Sequence, residues 1–173
     1  MRVKRLSEKD LEERVMWMND PVIYSFMYLE LPISLENTLR WYQKNLNSSS
    51  RVDLVFEENG ENIAMGGLVG LDRDVRKAEL YVFVRPSLQV KGIGTQVTTL
   101  ICKYAFDVLN LNKVCLYTDE TNVKAQRVYE KVGFKLEGKL REETFVKNVY
   151  RARLYYGLLA SEFDAKTVEL NFI

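Results

Sequence analysis

The chain predicts an α/β (α+β) fold built on a mixed, largely antiparallel sheet, and three observations carry that expectation. Alternating apolar positions interrupted by Asn59-Gly60 predict an antiparallel meander, because Asn-Gly suits the tight turn of a hairpin. Strand, helix and strand then follow in order over residues 77–118, the pattern of a right-handed parallel crossover. Two further strand-like runs close the chain after a helix that stops at Gly133.

Taken in order, Ser7 and Asp10 form a capping signal for a first helix that ends near Asn19-Asp20-Pro21. Ser34 caps a second helix, whose Leu35, Leu39, Tyr42 and Leu46 recur near the helical period and should bury one face. The polar NSSS at 47–50 is a short loop. Val52, Leu54 and Phe56 alternate in a strand, NIAMGGLVGL returns, the charged turn Asp72–Arg76 follows, and KAELYVFV (Lys77–Val84) makes the third strand. A helix over Thr95–Val108 puts Val97, Leu100, Ile101, Tyr104, Ala105 and Val108 on one face. KVCLYT (Lys113–Thr118) is a strand, Asn122–Val132 a helix, and GFKLEGKLREETFV and YRARLYYGLL are strands joined near Lys147-Asn148. The whole chain, residues 1–173, is expected to be one domain.

Composition narrows the function. A net charge of +1 offers no case for nucleic acid or an anionic membrane, and no apolar run approaches the ~20 residues of a membrane span. Cys102 and Cys115 lie in apolar runs and are expected to be reduced core thiols of a cytoplasmic protein. Histidine is absent, so a Ser-His-Asp triad, a Cys-His pair and the commonest zinc ligand are all excluded. Acid–base work is left to Glu, Asp, Tyr, Lys or water, and no metal is expected.

QVKGIGT (Gln89–Thr95) sits at a strand-to-helix junction. It lacks the frame of a Walker loop, and Val97 breaks a Gly-x-Gly-x-x-Gly fingerprint. A plain turn and a pyrophosphate cradle both fit. In the cradle, Gly92 and Gly94 let the main chain approach an anion, amides of the helix start point at it, and Lys91 adds charge.

The surroundings support the cradle. Gln89-x-x-Gly92-x-Gly94 follows a strand, and some thirty residues later come Asn122, Ala125, Tyr129, Gly133 and Phe134. These two motifs, in this order, resemble those of the GNAT acyl-CoA N-acyltransferases, and the likeness spans residues 2–160. The ending resembles the subgroup of ribosomal-protein N-terminal, polyamine and nucleotide-amino-sugar acetyltransferases. The resemblance implies a GNAT fold, with a six- to seven-stranded sheet, helices on both faces and splayed central parallel strands. It implies an acetyl-CoA-dependent N-acetyltransferase acting on a primary amine of a small molecule by direct attack in a ternary complex. A non-catalytic acyl-CoA sensor is the alternative from another class.

The resemblance also distributes roles. Gln89, Val90, Lys91, Gly92, Ile93, Gly94 and Thr95 would hold the phosphates. Val82, Phe83 and Val84 would flank the pantetheine arm, a main-chain N–H near Val82 or Phe83 would polarise the thioester carbonyl, and Asn122 would touch the arm or the amine. Tyr129 is the candidate acid, since it shares a helix face with Asn122 and Ala125; a packed core tyrosine is the other reading. Glu79 is the candidate base. It sits in an apolar strand on the face of Tyr81 and Phe83, where partial burial would raise its pKa; an exposed Glu, or one paired with Lys77 or Arg153, is the other reading. Trp17, Asn19, Met27 and Tyr28 are expected on the acceptor side with Glu79. Trp17-x-Asn19-Asp20-Pro21 and Phe26-Met27 resemble amino-sugar enzymes, which places an amino sugar slightly ahead, whereas Glu137–Glu143 resembles polyamine enzymes. A homodimer is the expected assembly.

Overall fold

The computed structural model describes residues 1–28, 30–88, 92–146 and 148–164. Its seven strands are β1 (Arg2–Arg5), β2 (Val52–Glu58), β3 (Glu61–Asp72), β4 (Lys77–Val84), β5 (Lys113–Asp119), β6 (Lys135–Val146) and β7 (Val149–Leu159). They form one sheet in the order β1-β2-β3-β4-β5-β7-β6. All neighbours are antiparallel except β4 and β5. β1 is the strand that periodicity did not reveal: with Val3 alone buried among Arg2, Lys4 and Arg5, it is too short to alternate visibly. The helices are α1 (Leu11–Met18), α2 (Pro21–Tyr24), α3 (Leu35–Asn45), α4 (Ile93–Lys103) and α5 (Val123–Val132).

Helices cover both faces. On one, Val97, Leu100, Ile101 and Ala105 from α4 and the turn after it pack on Leu54, Phe56, Ala64, Leu68, Leu80 and Leu116 of the sheet. On the other, Leu11, Trp17 and Met18 of α1 meet Val55, Met65 and Phe83, with Leu35, Leu39 and Tyr42 of α3 alongside. Period two explains the division: in β4, Ala78 and Leu80 point to α4, while Tyr81 and Phe83 point to α1.

Three helix expectations shift. The first begins as a 3-10 turn at Glu8–Asp10, where the Ser7 amide and hydroxyl both donate to Asp10 Oδ2 (2.9 and 2.7 Å). It ends at Met18, because Asp20 accepts from the Val22 amide and starts α2 at Pro21. α4 passes into a π-helical turn at Tyr104–Val108, and the extra residue rotates Val108 outward, to 56% exposure. Leu46 is also exposed, since α3 stops at Asn45.

β2 and β3 approach so closely at Gly67 that a Cβ there would overlap the Val52 carbonyl oxygen. Gly67→Ala should therefore force β2 and β3 apart and cost on the order of 3 kcal/mol in denaturant unfolding. A midpoint unchanged from the parent would contradict this packing.

Candidate active site

β4 and β5 pair only at Lys77 with Lys113, Ala78 with Val114 and Glu79 with Cys115. β3 follows β4 as far as Val84, and β7 follows β5 through Asp119. From Leu80 and Leu116 onward the two central strands therefore part, and the β5-facing backbone edge of Leu80–Val84 has no strand partner among the described residues. Backbone amides and carbonyls left unpaired inside a protein need polar partners. An arm carrying its own amides, as pantetheine does, fits such a cleft, and Val82, Phe83 and Val84 lie along it.

α4 starts just beyond the same end of β4. Gly92 caps it at φ 104° and ψ −27°, angles that suit glycine and strain other residues. The Gln96 amide donates to the Gly92 carbonyl (2.9 Å), which opens the helical ladder. The amides of Ile93, Gly94 and Thr95 precede it and have no acceptor inside the helix. They form the positive end of an 11-residue dipole, suited to phosphate oxygens. A Cβ on Gly94 would make ordinary contact with Val128, 3.6 Å away, so the fold itself does not demand glycine there. The expected contacts of Gln89, Val90 and Lys91 lie outside the described residues.

α5 supplies Tyr129. The Asn122 side chain accepts from the Ala125 amide (3.2 Å) and starts this helix, so its oxygen serves the cap that orients the tyrosine. Gly133, at φ 109°, ends the helix, with the Gly133 and Phe134 amides both donating to the Tyr129 carbonyl. The ring is 8% exposed between Phe134 and Tyr156, with centroids at 6.0 and 6.3 Å. Burial pushes the phenol up to about 12, so it keeps its proton throughout the physiological range.

Glu79 occupies the opposite side of the sheet, at the last paired position before the strands part. It is half-buried, and desolvation raises its carboxyl above the ordinary value, opposed by the charges of Arg153 and Lys77. No ion pair of Glu79 within 4 Å forms among the described residues. Tyr129 thus packs on the α4 face of the sheet, while Glu79 lies on the α1 face.

The expected acceptor residues divide. Trp17 is corrected to a core residue: it is 1% exposed and packs edge-on against Phe83 at 6.3 Å. Asn19 is corrected to a structural clip. Its side chain donates to the Val15 and Ile33 carbonyls (3.0 and 2.8 Å) and accepts from the Ile33 amide (2.9 Å), tying α1 to the segment before α3. Met27 packs partly buried against the α1 core. Tyr28 alone reaches the cleft, where its hydroxyl donates to Asp119 Oδ2 at 2.8 Å.

Asp119 was not singled out by sequence. At the end of β5 it is 1% exposed, accepts from the Thr121 amide and hydroxyl (2.7 and 2.5 Å) and pairs with Arg151 at 3.4 Å. These hydrogen bonds and the arginine outweigh burial and hold its carboxyl below the usual range. The one signal in the sequence is phase: Cys115, Tyr117 and Asp119 alternate onto the face of Glu79. Across from them on β7, Tyr155 opposes Tyr117 and Arg153 opposes Asp119.

The sheet order, the central splay and the glycine-started helix together define the GNAT architecture. The chain belongs to the acetyltransferase (GNAT) domain family, whose model matches residues 1–135. It is 37% identical over 110 residues to the spermidine N(1)-acetyltransferase of Escherichia coli strain K12, a match covering 64% of this chain and 59% of that protein. The chain thus spans under two thirds of that relative's length. It also superposes on the spermidine N-acetyltransferase of Vibrio cholerae in complex with CoA and spermine, with a TM-score of 0.88 and 27% identity over 92% of this chain and 95% of that one. A dodecameric structure of the Vibrio cholerae enzyme matches with a TM-score of 0.83 and 25% identity, over 96% and 97% of the two chains. Among the described residues, no helix is long and apolar enough to cross a membrane.

Proposed function

We propose that this protein transfers the acetyl group of acetyl-CoA to a primary amine of a small polyamine. The observation that carries the reading is the splay itself, opening beside the α4 N-terminus with Tyr129 on one flank and Glu79 on the other. The acceptor class follows the similar proteins, which are named for spermidine. The amino-sugar ranking gives way to it, because two residues that suggested it, Trp17 and Asn19, are committed to the core and to a clip. Self-association belongs to the same reading, supported by the dodecameric neighbour; light scattering would test it.

Acetyl-CoA supplies the acyl group as an activated thioester. The first-turn amides of α4 bind its phosphates, and the free edge of β4 takes the arm. A main-chain N–H of Val82 or Phe83 stabilises the negative charge that develops on the carbonyl oxygen. Glu79, directly or through water, takes the proton of the acceptor ammonium, whose ordinary pKa is about 10. The amine nitrogen bonds to the carbonyl carbon as the carbon–sulfur bond breaks. Tyr129 gives its proton to the departing sulfur and regains one as the acylated nitrogen sheds its second proton, directly or through water, leaving N-acetyl amine, CoA thiol and the single released proton on Glu79.

An acceptor panel followed by free-thiol release tests the assignment. Spermidine and spermine should turn over well above a nucleotide amino sugar or a peptide N-terminus; transfer to the amino sugar with none to either polyamine would overturn it. The rate should rise with pH and level off as base and amine lose their protons. Glu79→Gln should lower that rate about tenfold or more and move the rise to higher pH, since the amine must then shed its proton unaided. An identical pH–rate profile would assign proton removal to water alone.

A further inference from the structure

We propose that Arg153 is a positioning residue for acetyl transfer: a fixed guanidinium at the mouth of the splay whose charge favours the carboxylate of Glu79 and eases the loss of the incoming amine's proton. The proposal rests on the acetyltransferase reading above and concerns a residue that the sequence offered only as a partner for Glu79.

Its placement is unusual for an arginine. Arg153 Cζ lies 4.6 Å from the Tyr117 ring centroid and 5.3 Å from that of Tyr28, so the guanidinium is held between the floor of β5 and the segment leading to α3. Two aromatic faces fix such a cation in position without neutralising it. Its Nε is buried with no hydrogen-bond partner. The nearest acid in the strand register is Asp119, directly opposite on β5. Asp119 is already satisfied by Tyr28, the Thr121 amide and hydroxyl, and Arg151. The charge of Arg153 is therefore not spent there.

The register carries that charge toward Glu79. Glu79 is level with Cys115, and Tyr117, which Arg153 covers, is the next residue of β5 on the same face. Tyr117 lies where β4 and β5 have parted, so the guanidinium stands over the opening that the amine must use. The titratable and charged groups around Glu79 are Lys77 and Tyr81 on its own strand, Asp53 of β2 and Arg14 of α1 against Tyr81, Lys113, Cys115, Tyr117 and Asp119 on β5, Arg151, Arg153 and Tyr155 on β7, and Tyr28 from the covering segment. Asp119 is tied to Arg151, Lys113 to Glu137 at 2.5 Å, and burial holds the Cys115 thiol protonated. Arg153 and Lys77 are the cations whose charges act on Glu79.

The two consequences have the same sign. A positive charge near a carboxyl favours the carboxylate, and near an ammonium it favours the neutral amine. Both place more of the site in its reactive state, carboxylate with free amine, at a given pH. They also oppose burial, which alone would leave Glu79 protonated further up the pH scale. For a polyamine, the reacting nitrogen would give up its proton to Glu79 at the opening, with its remaining ammonium groups kept outside.

Arg153→Gln and Arg153→Lys separate charge from packing. The titration of the Glu79 carboxyl, followed by carbon-13 NMR with Glu79→Gln for assignment, should move up by on the order of one pH unit in Arg153→Gln. It should return most of the way in Arg153→Lys. The midpoint of the rate rise with spermidine should move in the same direction, with acetyl-CoA affinity unchanged. The carboxyl titration needs no acceptor, so it reads Arg153 correctly even if spermidine proves to be the wrong amine. An unmoved Glu79 titration in folded Arg153→Gln would overturn the proposal. So would an equal shift in both variants, which would trace the effect to the aromatic sandwich rather than to charge.

Discussion

Tyr129→Phe should lower turnover about a hundredfold and leave acetyl-CoA affinity within a factor of two, because one hydroxyl is removed and the ring that packs is kept. The ring sits between Phe134 and Tyr156 in a buried position, so the variant should also unfold at nearly the parent denaturant concentration. The pH dependence follows from burial. A phenol pushed up to about 12 stays protonated across the range in which Glu79 and the amine titrate. The loss should therefore be equal at every pH between roughly 6 and 10, scaling the pH–rate profile without moving it. Stopped or steady-state thiol release over that range measures this. Turnover within a factor of two of the parent would make Tyr129 a packing residue only.

Gly92→Val should abolish measurable acetyl-CoA binding, a loss of a hundredfold or more in affinity. At φ 104° a branched residue cannot hold the backbone, so the first turn of α4 must reorient and its amides leave the phosphate position. The core should survive, because a Cβ at Gly92 meets nothing within 4 Å among the described residues and the buried face of α4 begins only at Val97. Gly94→Ala is the companion variant. Among the described residues its methyl would meet only Val128, at an ordinary distance, so the fold should be unperturbed, and any fall in CoA affinity reports how closely the ligand approaches the helix. Calorimetry with acetyl-CoA and thermal unfolding of both proteins separate the two effects. Parent-like affinity in folded Gly92→Val would remove the cradle.

Much of this was legible along the chain. The hairpin at Asn59-Gly60, the crossover from β4 through α4 to β5, the caps at Asn122 and Gly133 and the alternation of β4 all come from local chemistry repeated at short spacing. Trp17 and Asn19 show where that reasoning stops. An aromatic and an amide near an expected cleft look the same whether they face it or turn away. Only the packing of α1 on Phe83, and the clip from Asn19 to Ile33, decides that they turn away.

The sequence by itself determined the fold class, the glycine junction, the family motifs and the identities of the candidate acid and base. Each depends on residues close together in the chain, where periodicity and turn chemistry act. The tertiary structure alone decided how far β4 and β5 stay paired, because β3 and β7 each hold one of them to the end while β4 and β5 pair with each other only as far as Glu79 and Cys115. It also decided the setting of the proposed acceptor cleft. Tyr28 meets Asp119 across 91 positions, and Arg153 lies over Tyr117 from the far side of a hairpin. Charges act through space rather than along the chain, so the protonation of Glu79 depends on neighbours that sequence proximity does not identify.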